Sequence, residues 1–286
     1  MTVTPVVSEE TFQTRDGRTI LVRPCESFDE LDACVRLQIE TWGYADGDVI
    51  PRRVFIVARK IGGQVIGAFD LSLSAKESAE GGNLIGFAMA LPGIRSGNEG
   101  LHRAYLHSHM LAVRAAYRND GVGRRLKLFQ RVEALSRGIE LMEWTFDPLE
   151  IKNSFLNIHR LGAIVRSYTP NFYGVSSSRL QGGLPTDRLH AEWYLRSARV
   201  EAALSGTSSK PRSIEERILV PHEISEWKSS EEHINRALAV QRENRQRFQT
   251  AFSQGLAVIG FRRDADGNGH FELGPFEDQI RGSRGL

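Results

Sequence analysis

The chain has 286 residues, 41% of them hydrophobic and 25% charged, which is enough for one large domain or two small ones with an unstapled core. A formal net charge of +2 is too close to neutral to argue for a nucleic-acid partner, and the two cysteines, Cys25 and Cys34, form no disulfide framework and suit a reducing compartment. The first ten residues lack a basic region followed by an apolar run, and no apolar stretch is long enough to cross a bilayer. The expectation is a soluble, cytoplasmic protein with neither nucleic acid nor membrane among its partners.

After a loose start, Thr19 to Pro24 reads as a strand ended by proline. Ser27 to Trp42 carries apolar residues at helical spacing, with Ser27 and Glu30 as a capping box and Gly43 as its stop. Val54 to Ala58 reads as a strand that turns at Gly62-Gly63 into Gln64 to Leu71. A break at Gly81-Gly82 precedes a strand from Leu84 to Leu91, and His102 to Val113 is a further strand. A helix follows from about Gly121 to Arg137, with Val122, Leu126, Phe129 and Val132 on one stripe. Ile139 to Phe146 is a strand. Asp147-Pro-Leu-Glu150 has the composition of a helix start, with Asp147 as N-cap, and that helix runs to Leu161. Ala163 to Tyr168 and His190 to Leu195 are two more strands.

Composition marks Ser205 to Ser213 as a linker. Beyond it come a short strand (Arg217 to Val220), a long Arg-rich helix (about Ser230 to Phe252) and a hairpin of Leu256 to Arg262 with His270 to Leu273. The expected organisation is a domain over 1–200, a linker over 201–213, an α/β extension over 214–278 packed on that domain, and a tail over 279–286. The order of elements indicates an α+β fold class.

The informative stretch is Leu111-Ala-Val-Arg-Ala-Ala-Tyr-Arg118-Asn-Asp-Gly121-Val-Gly123-Arg-Arg, between a strand and a helix. Backbone N–H groups in such a loop point into one concavity, and the helix behind adds its positive end, so a phosphate can dock. Glycines let the backbone approach the anion. Arg118, Arg124 and Arg125 add positive charge. The spacing is neither the dinucleotide fingerprint, since Leu126 stands three after Gly123, nor a P-loop.

Arg118-x-x-Gly121-x-Gly123 resembles the R/Q-x-x-G-x-G/A acetyl-CoA motif of the GNAT acyltransferases. Leu111-Ala112-Val113 resembles the end of that family's fourth strand, and Asn153 to Gly162 resembles its later helix. The resemblance covers roughly residues 15 to 198. His107-Ser-His-Met, Trp144-Thr-Phe-Asp-Pro, Asn171-Phe-Tyr-Gly and Pro185-Thr-Asp-Arg further resemble a bacterial subfamily of GNAT acyltransferases that carries an extra C-terminal segment. What the resemblance implies is a GNAT fold, a mixed and mostly antiparallel central sheet flanked by helices, here with a C-terminal strand-helix-hairpin extension. It implies acetyl-CoA or a related acyl-CoA as co-substrate and no metal. The partner is a small-molecule amine, among them an amino acid, which takes an acetyl or succinyl group by direct attack on the thioester. Dimers are common in the family, so a homodimer stands among the expected partners. A second reading, from a different class, is a non-catalytic acyl-CoA-binding or sensor module on the same scaffold.

The implied CoA-binding residues are Leu111, Ala112, Val113, Arg118, Asn119, Asp120, Gly121, Val122, Gly123 and Arg124, with Asn153 and Asn157 one helical turn apart on the later helix. The family splays its fourth and fifth strands around the pantetheine arm, and a backbone N–H near Leu111 polarises the thioester. Alternation along the strand puts Tyr105, His107, His109, Leu111 and Val113 on one face. His107 falls where some family members carry a catalytic glutamate. His107 and His109 are thus candidate bases, with Glu143 and Asp147 as rivals. The family's usual tyrosine, four before Gly162, is replaced by Ile158. Tyr168, Tyr173 or water remain to protonate the leaving thiolate.

Two other signals are set aside. His102 with His107-x-His109 lacks a second ligand pair for zinc. Asp264-x-Asp266-x-Asn268-Gly269 opens like a calcium loop but has Pro275 at the closing position, so a hairpin turn is the better reading.

Overall fold

The computed structural model describes residues 8–45, 47–74, 82–96, 102–207 and 213–276. The expected tail at 279–286, Gly81, most of the loose start and 208–212 of the linker lie outside them. The chain divides into two compact units, Met1–Met142 and Glu143–Leu286.

In the first unit, β1 (Glu10–Gln13), β2 (Thr19–Pro24), β3 (Gln64–Asp70), β4 (Leu84–Ser96) and β5 (His102–Val113) lie side by side in that order, each antiparallel to its neighbour. Helices α1 (Phe28–Trp42) and α2 (Arg52–Lys60) share a core on one face with Phe69, Phe87, Met89, Met110 and Ala112. Helix α3 (Val122–Ser136) closes the other face through Val122, Leu126 and Phe129, against Ile20, Ile66, Ile85 and Ala88. The capping box of α1 is present, with Ser27 and Glu30 reciprocally bonded, and Gly43 ends the helix at φ 65°.

The segment Val54 to Ala58, expected as a strand, is instead the body of α2. Its five apolar residues mimic a strand, yet only Phe55 and Ala58, three apart, are buried, while Ile56 and Val57 are exposed. That spacing is helical. Pro51 opens the helix, and Arg59 and Lys60 complement its negative end. Phe55 then packs edge-on against Phe87 at 5.8 Å. Residues 10–13, expected to be loose, pair with β2 as β1.

In the second unit the strand order is β6 (Leu141–Phe146), β8 (Arg188–Tyr194), β7 (Ile164–Thr169), β10 (Leu256–Arg263), β11 (Gly269–Pro275) and β9 (Glu216–Val220). Strand β10 meets β7 at Val258↔Val165, so the segment after the linker continues this sheet. A long helix, α7 (Ile234–Ser253), sends Phe248 against Tyr168, Phe252 and Phe271. The helix expected from about Ser230 thus starts at Ile234, and a short helix that the sequence reading did not include, α6 (Ile224–Ser229), precedes it. Helix α5 (Ala198–Ser205) takes up the first residues, 201–205, of the expected linker over 201–213.

The helix expected to start at Asp147 starts at Ile151. It is a four-residue turn, α4 (Ile151–Ser154), that continues as a π-helical segment, Phe155–Arg160. Asp147 is not its N-cap. One Asp147 oxygen accepts from the Leu149 N–H at 2.8 Å, and the other takes the Lys228 ammonium at 2.8 Å. Lys228, in α6, also reaches Glu150 at 2.8 Å. Burial presses on the ammonium, but the two carboxylates outweigh it and hold the Lys228 pKa above the usual lysine range. A residue some eighty positions downstream thus keeps Asp147–Glu150 as a turn. The acidic 264–269 segment is the β10–β11 hairpin turn, with Asp264 accepting from the Asn268 N–H at 2.8 Å and Gly267 at φ 90°.

Candidate active site

Strand β5 ends at Val113 and the chain turns through a short helical turn, Ala115–Tyr117, into the 118–121 loop. Asn119 at φ 72° and Gly121 at φ 84° are left-handed there. Left-handed residues are the kind from which backbone nests, concavities of successive N–H groups that bind anions, are built. Gly121 is the N-cap of α3, and no side chain caps the first turn of this 15-residue helix. Its opening N–H groups carry the positive end of the helix dipole. A Cβ on Gly121 would meet nothing within 4 Å, so the space over the loop is open. At Gly123 a Cβ would touch Leu111 at 3.4 Å, because α3 lies close on β5. Asp120 and Arg124 are half-buried, Val122 is buried in the core, and Arg118 donates from Nε to the Val113 carbonyl at 3.1 Å. The loop residues expected together are therefore together.

What anchors the loop was not foreseen. Tyr117, next to Arg118, is buried and donates its hydroxyl to the fully buried Asp70 at 2.7 Å. The Arg18 guanidinium lies 4.7 Å from the ring centroid. Burial, and then Asp70, raise the Tyr117 pKa, so the hydroxyl stays a donor. Tyr117→Phe leaves a buried carboxylate short of one donor. The expected cost is about 1–3 kcal/mol, read as a lower melting temperature together with weaker acetyl-CoA binding by calorimetry.

Strand β5 carries a bulge. Met89 pairs with Met110 and Ala90 with Ser108, so His109 is the extra residue. Ser108 meets α3, taking a hydrogen bond from Lys127 Nζ at 2.7 Å and giving one to Gln130 at 3.1 Å. Leu111 and Val113 pack on the α3 side as well, whereas Met110 and Ala112 join the α1 and α2 core. The expectation that Tyr105 to Val113 alternate on one face is thus corrected. His107 and His109 remain neighbours, their ring centroids 6.1 Å apart, but the bulge separates them from the face of Leu111 and Val113. Burial lowers the His109 pKa below the usual histidine range, which favours a neutral imidazole. Lys127 is a further residue the sequence reading missed. Burial brings its ammonium pKa down to about 7.

The other candidates belong to the second unit. Glu143 and Thr145 alternate on one face of β6, half-buried between the buried Met142, Trp144 and Phe146. Tyr173 is exposed and its hydroxyl lies 2.9 Å from Thr145 Oγ1. Tyr168, by contrast, is buried, and its hydroxyl is committed to Asp187. Burial and that carboxylate lift its pKa far above the phenol range. Asn157 is buried and donates to the exposed Asn153 at 3.4 Å, so the pair does not form a solvated face. Ile158, where the family's tyrosine would stand, is 2% exposed.

Among the described residues no group of three or more His, Cys, Asp or Glu side chains is arranged to hold a metal ion, and no helix is long and apolar enough to cross a membrane. A cavity of about 420 Å³ opens between the π-helical segment, α5 and β10, beside His159, Arg199, Arg262 and Glu272. None of the residues singled out from the sequence as candidates lines it.

Strand β5, the glycine loop, α3, β6 and α4 follow one another in the order expected of a GNAT fold, within an α+β and mostly antiparallel architecture. No family model and no curated protein matches the chain. Among solved structures, it is similar to Arabidopsis thaliana NAA60 in complex with a bisubstrate analogue, at 18% identity over 61% of this chain and 98% of that one, TM-score 0.48. It is also similar to aminoglycoside 6'-acetyltransferase type Ii, at 17% identity over 62% and 97%, TM-score 0.45. A third is FeeM, an N-acyl amino acid synthase from uncultured soil microbes, at 14% identity over 62% and 92%, TM-score 0.43.

Proposed function

We propose that the chain is an acyl-CoA-dependent N-acyltransferase of the GNAT type, acting on a small-molecule amine. The observation that carries the reading is the uncapped N-terminus of α3 behind a loop with two left-handed residues, directly after β5. That loop takes the CoA pyrophosphate, with Arg118 and Arg124 beside it. Nothing in the reaction calls for a metal ion.

The amine nitrogen attacks the thioester carbon, the carbonyl oxygen takes the developing charge, and the C–S bond breaks to release the CoA thiolate. Backbone N–H groups near the β5 bulge stabilise the oxyanion, since a bulge interrupts the ladder and leaves its extra residue unmatched. His107 or His109 accepts the ammonium proton, directly or through water, with Glu143 as a rival. Tyr173 protonates the thiolate, and its exposure supports that choice over Tyr168. Asn153 and Asn157 bind the CoA arm.

The test is thiol release from acetyl-CoA and succinyl-CoA in the presence of a panel of amino acids and simple amines. Amine-dependent release establishes the transferase and names its donor. Tight CoA binding without release from any pair would make the chain a binding or sensor module. In the active pair, His107→Ala is expected to lower turnover about 10²-fold or more with acyl-CoA affinity unchanged. Full activity across the pH range would remove His107 as the base.

A further inference from the structure

The stretch between β7 and β8, residues 170–187, is bound to itself at its two ends. The Asn171 N–H donates to Asp187 at 2.9 Å, and the Tyr173 N–H donates to Thr186 Oγ1 at 2.9 Å. Thr186 returns its own N–H to the Asn171 side chain at 3.2 Å. Asn171 is left-handed at φ 45°, a conformation asparagine tolerates better than most residues. The extension grips this base from outside. Arg245 of α7 donates from Nε and Nη2 to the two oxygens of the fully buried Asp187, at 2.9 and 3.0 Å, and Gln241 donates to the Pro185 carbonyl at 2.9 Å.

The same loop presents an apolar surface outward. Phe172 and Tyr173 are 43% and 46% exposed and meet edge to face at 4.7 Å. The Arg188 guanidinium stands 5.5 Å from the Tyr173 ring centroid. Its hydrogen bonds go to the Asp187 carbonyl at 2.9 Å and to the Gln181 side chain at 3.2 Å, both neutral acceptors. Among the described residues Arg188 has no carboxylate partner, whereas the neighbouring Arg245 does. Exposed aromatic rings rimmed by a cation whose charge is not neutralised are a recognition surface rather than a packing surface. Tyr173 also touches Thr145 of β6, the strand that the GNAT resemblance sets beside the acyl donor.

We propose that Phe172, Tyr173 and Arg188 form the acceptor subsite of the transferase. It takes an amine that also carries an anionic group and an apolar body, and Arg245 is the positioning residue through which the extension holds it. The proposal rests on the acyltransferase reading above. The anionic group pairs with Arg188, and the apolar body lies on the rings. This assigns a purpose to two features that composition leaves separate, the Asn171-Phe-Tyr-Gly and Pro185-Thr-Asp segments and the chain beyond 213. Without the extension, Asp187 would lose its cation and the loop its fixed base.

The test titrates matched pairs into the full-length protein saturated with CoA, followed by calorimetry. The pairs are L-phenylalanine with phenethylamine and L-leucine with isoamylamine, each differing by one carboxylate. The carboxylate member is expected to bind about tenfold more tightly. Arg188→Gln should abolish that preference and Arg188→Lys should retain part of it, with acetyl-CoA affinity unchanged in both. Arg245→Met should speed hydrogen exchange at the Asn171 and Tyr173 amides and weaken binding of the carboxylate member. Equal binding within each pair, no binding of any member, or a preference that survives Arg188→Gln would overturn the proposal. Faster exchange with unaltered acceptor binding would remove Arg245 from its role. Thiol release from acetyl-CoA or succinyl-CoA, supplied in place of CoA with the same amines, separates the two readings. Binding with the carboxylate preference but no release sinks the transferase and leaves the subsite, and release without the preference does the reverse.

Discussion

Gly121→Glu is expected to raise the Kd for acetyl-CoA by at least about 100-fold, to the limit of detection by calorimetry. Two effects add. Gly121 sits at φ 84°, where a side chain strains the backbone by about 1–2 kcal/mol. The new carboxylate then lies where the pyrophosphate docks, and like charges repel at short range. The fold itself should survive, because a Cβ at this position meets nothing within 4 Å. Gly121→Ala separates the two effects, since it keeps the strain and omits the charge, and should weaken binding by much less. A melting temperature close to that of the parent, with acetyl-CoA binding lost, is the expected pair of results. Unchanged affinity would remove the loop as the pyrophosphate site.

Asp187→Ala is expected to be the most damaging single change in the second unit. The carboxylate is fully buried and accepts from Tyr168, from Arg245 twice and from the Asn171 N–H. Its removal leaves a guanidinium, a phenol and an amide without their acceptor in low dielectric. Breaking a buried, hydrogen-bonded charge cluster costs about 3–5 kcal/mol. For a chain of this size that corresponds to a melting temperature lower by about 10 °C, read by calorimetry or circular dichroism. Removing Glu216, whose partner Arg247 is 38% exposed, should cost under about 1 kcal/mol, because water screens such a pair. If the two variants melted together, Asp187 would not hold the loop.

Much of this was legible in the chain itself. Strand β5 was read to its last residue, and the glycine loop and α3 were placed because periodicity, glycines and a helix boundary all agree there. The α1 capping box was equally local. The misreadings share a cause, which is that the deciding partner is distant in sequence. Val54 to Ala58 has a strand's composition, and only its burial against Phe87 and the α1 core makes it a helix. Asp147-Pro-Leu-Glu is a good helix start on its own, but Lys228 holds both acids in a turn. The Asn171 and Pro185 segments stood out as motifs without a reason, since the hydrogen bonds between them and to Arg245 span a loop and a helix. No alternation rule reveals a bulge, so the turnover of β5 at His109 was invisible too.

That single extra residue has a consequence for how this strand tolerates change. Upstream of it, Ser108 faces α3 with Lys127 and Gln130; downstream, Met110 faces the opposite core. In a regular strand the loss of any one residue flips every side chain on one side of the gap to the opposite face. Here the loss of position 109 would join Ser108 to Met110 as consecutive residues that already pair with Ala90 and Met89, so the upstream half would keep its partners and its faces. Ser108 would stay beneath α3 with Lys127 and Gln130, and the change would fall on the His109 imidazole alone. The bulge is thus the place where this strand can give up a residue without exchanging inside for outside.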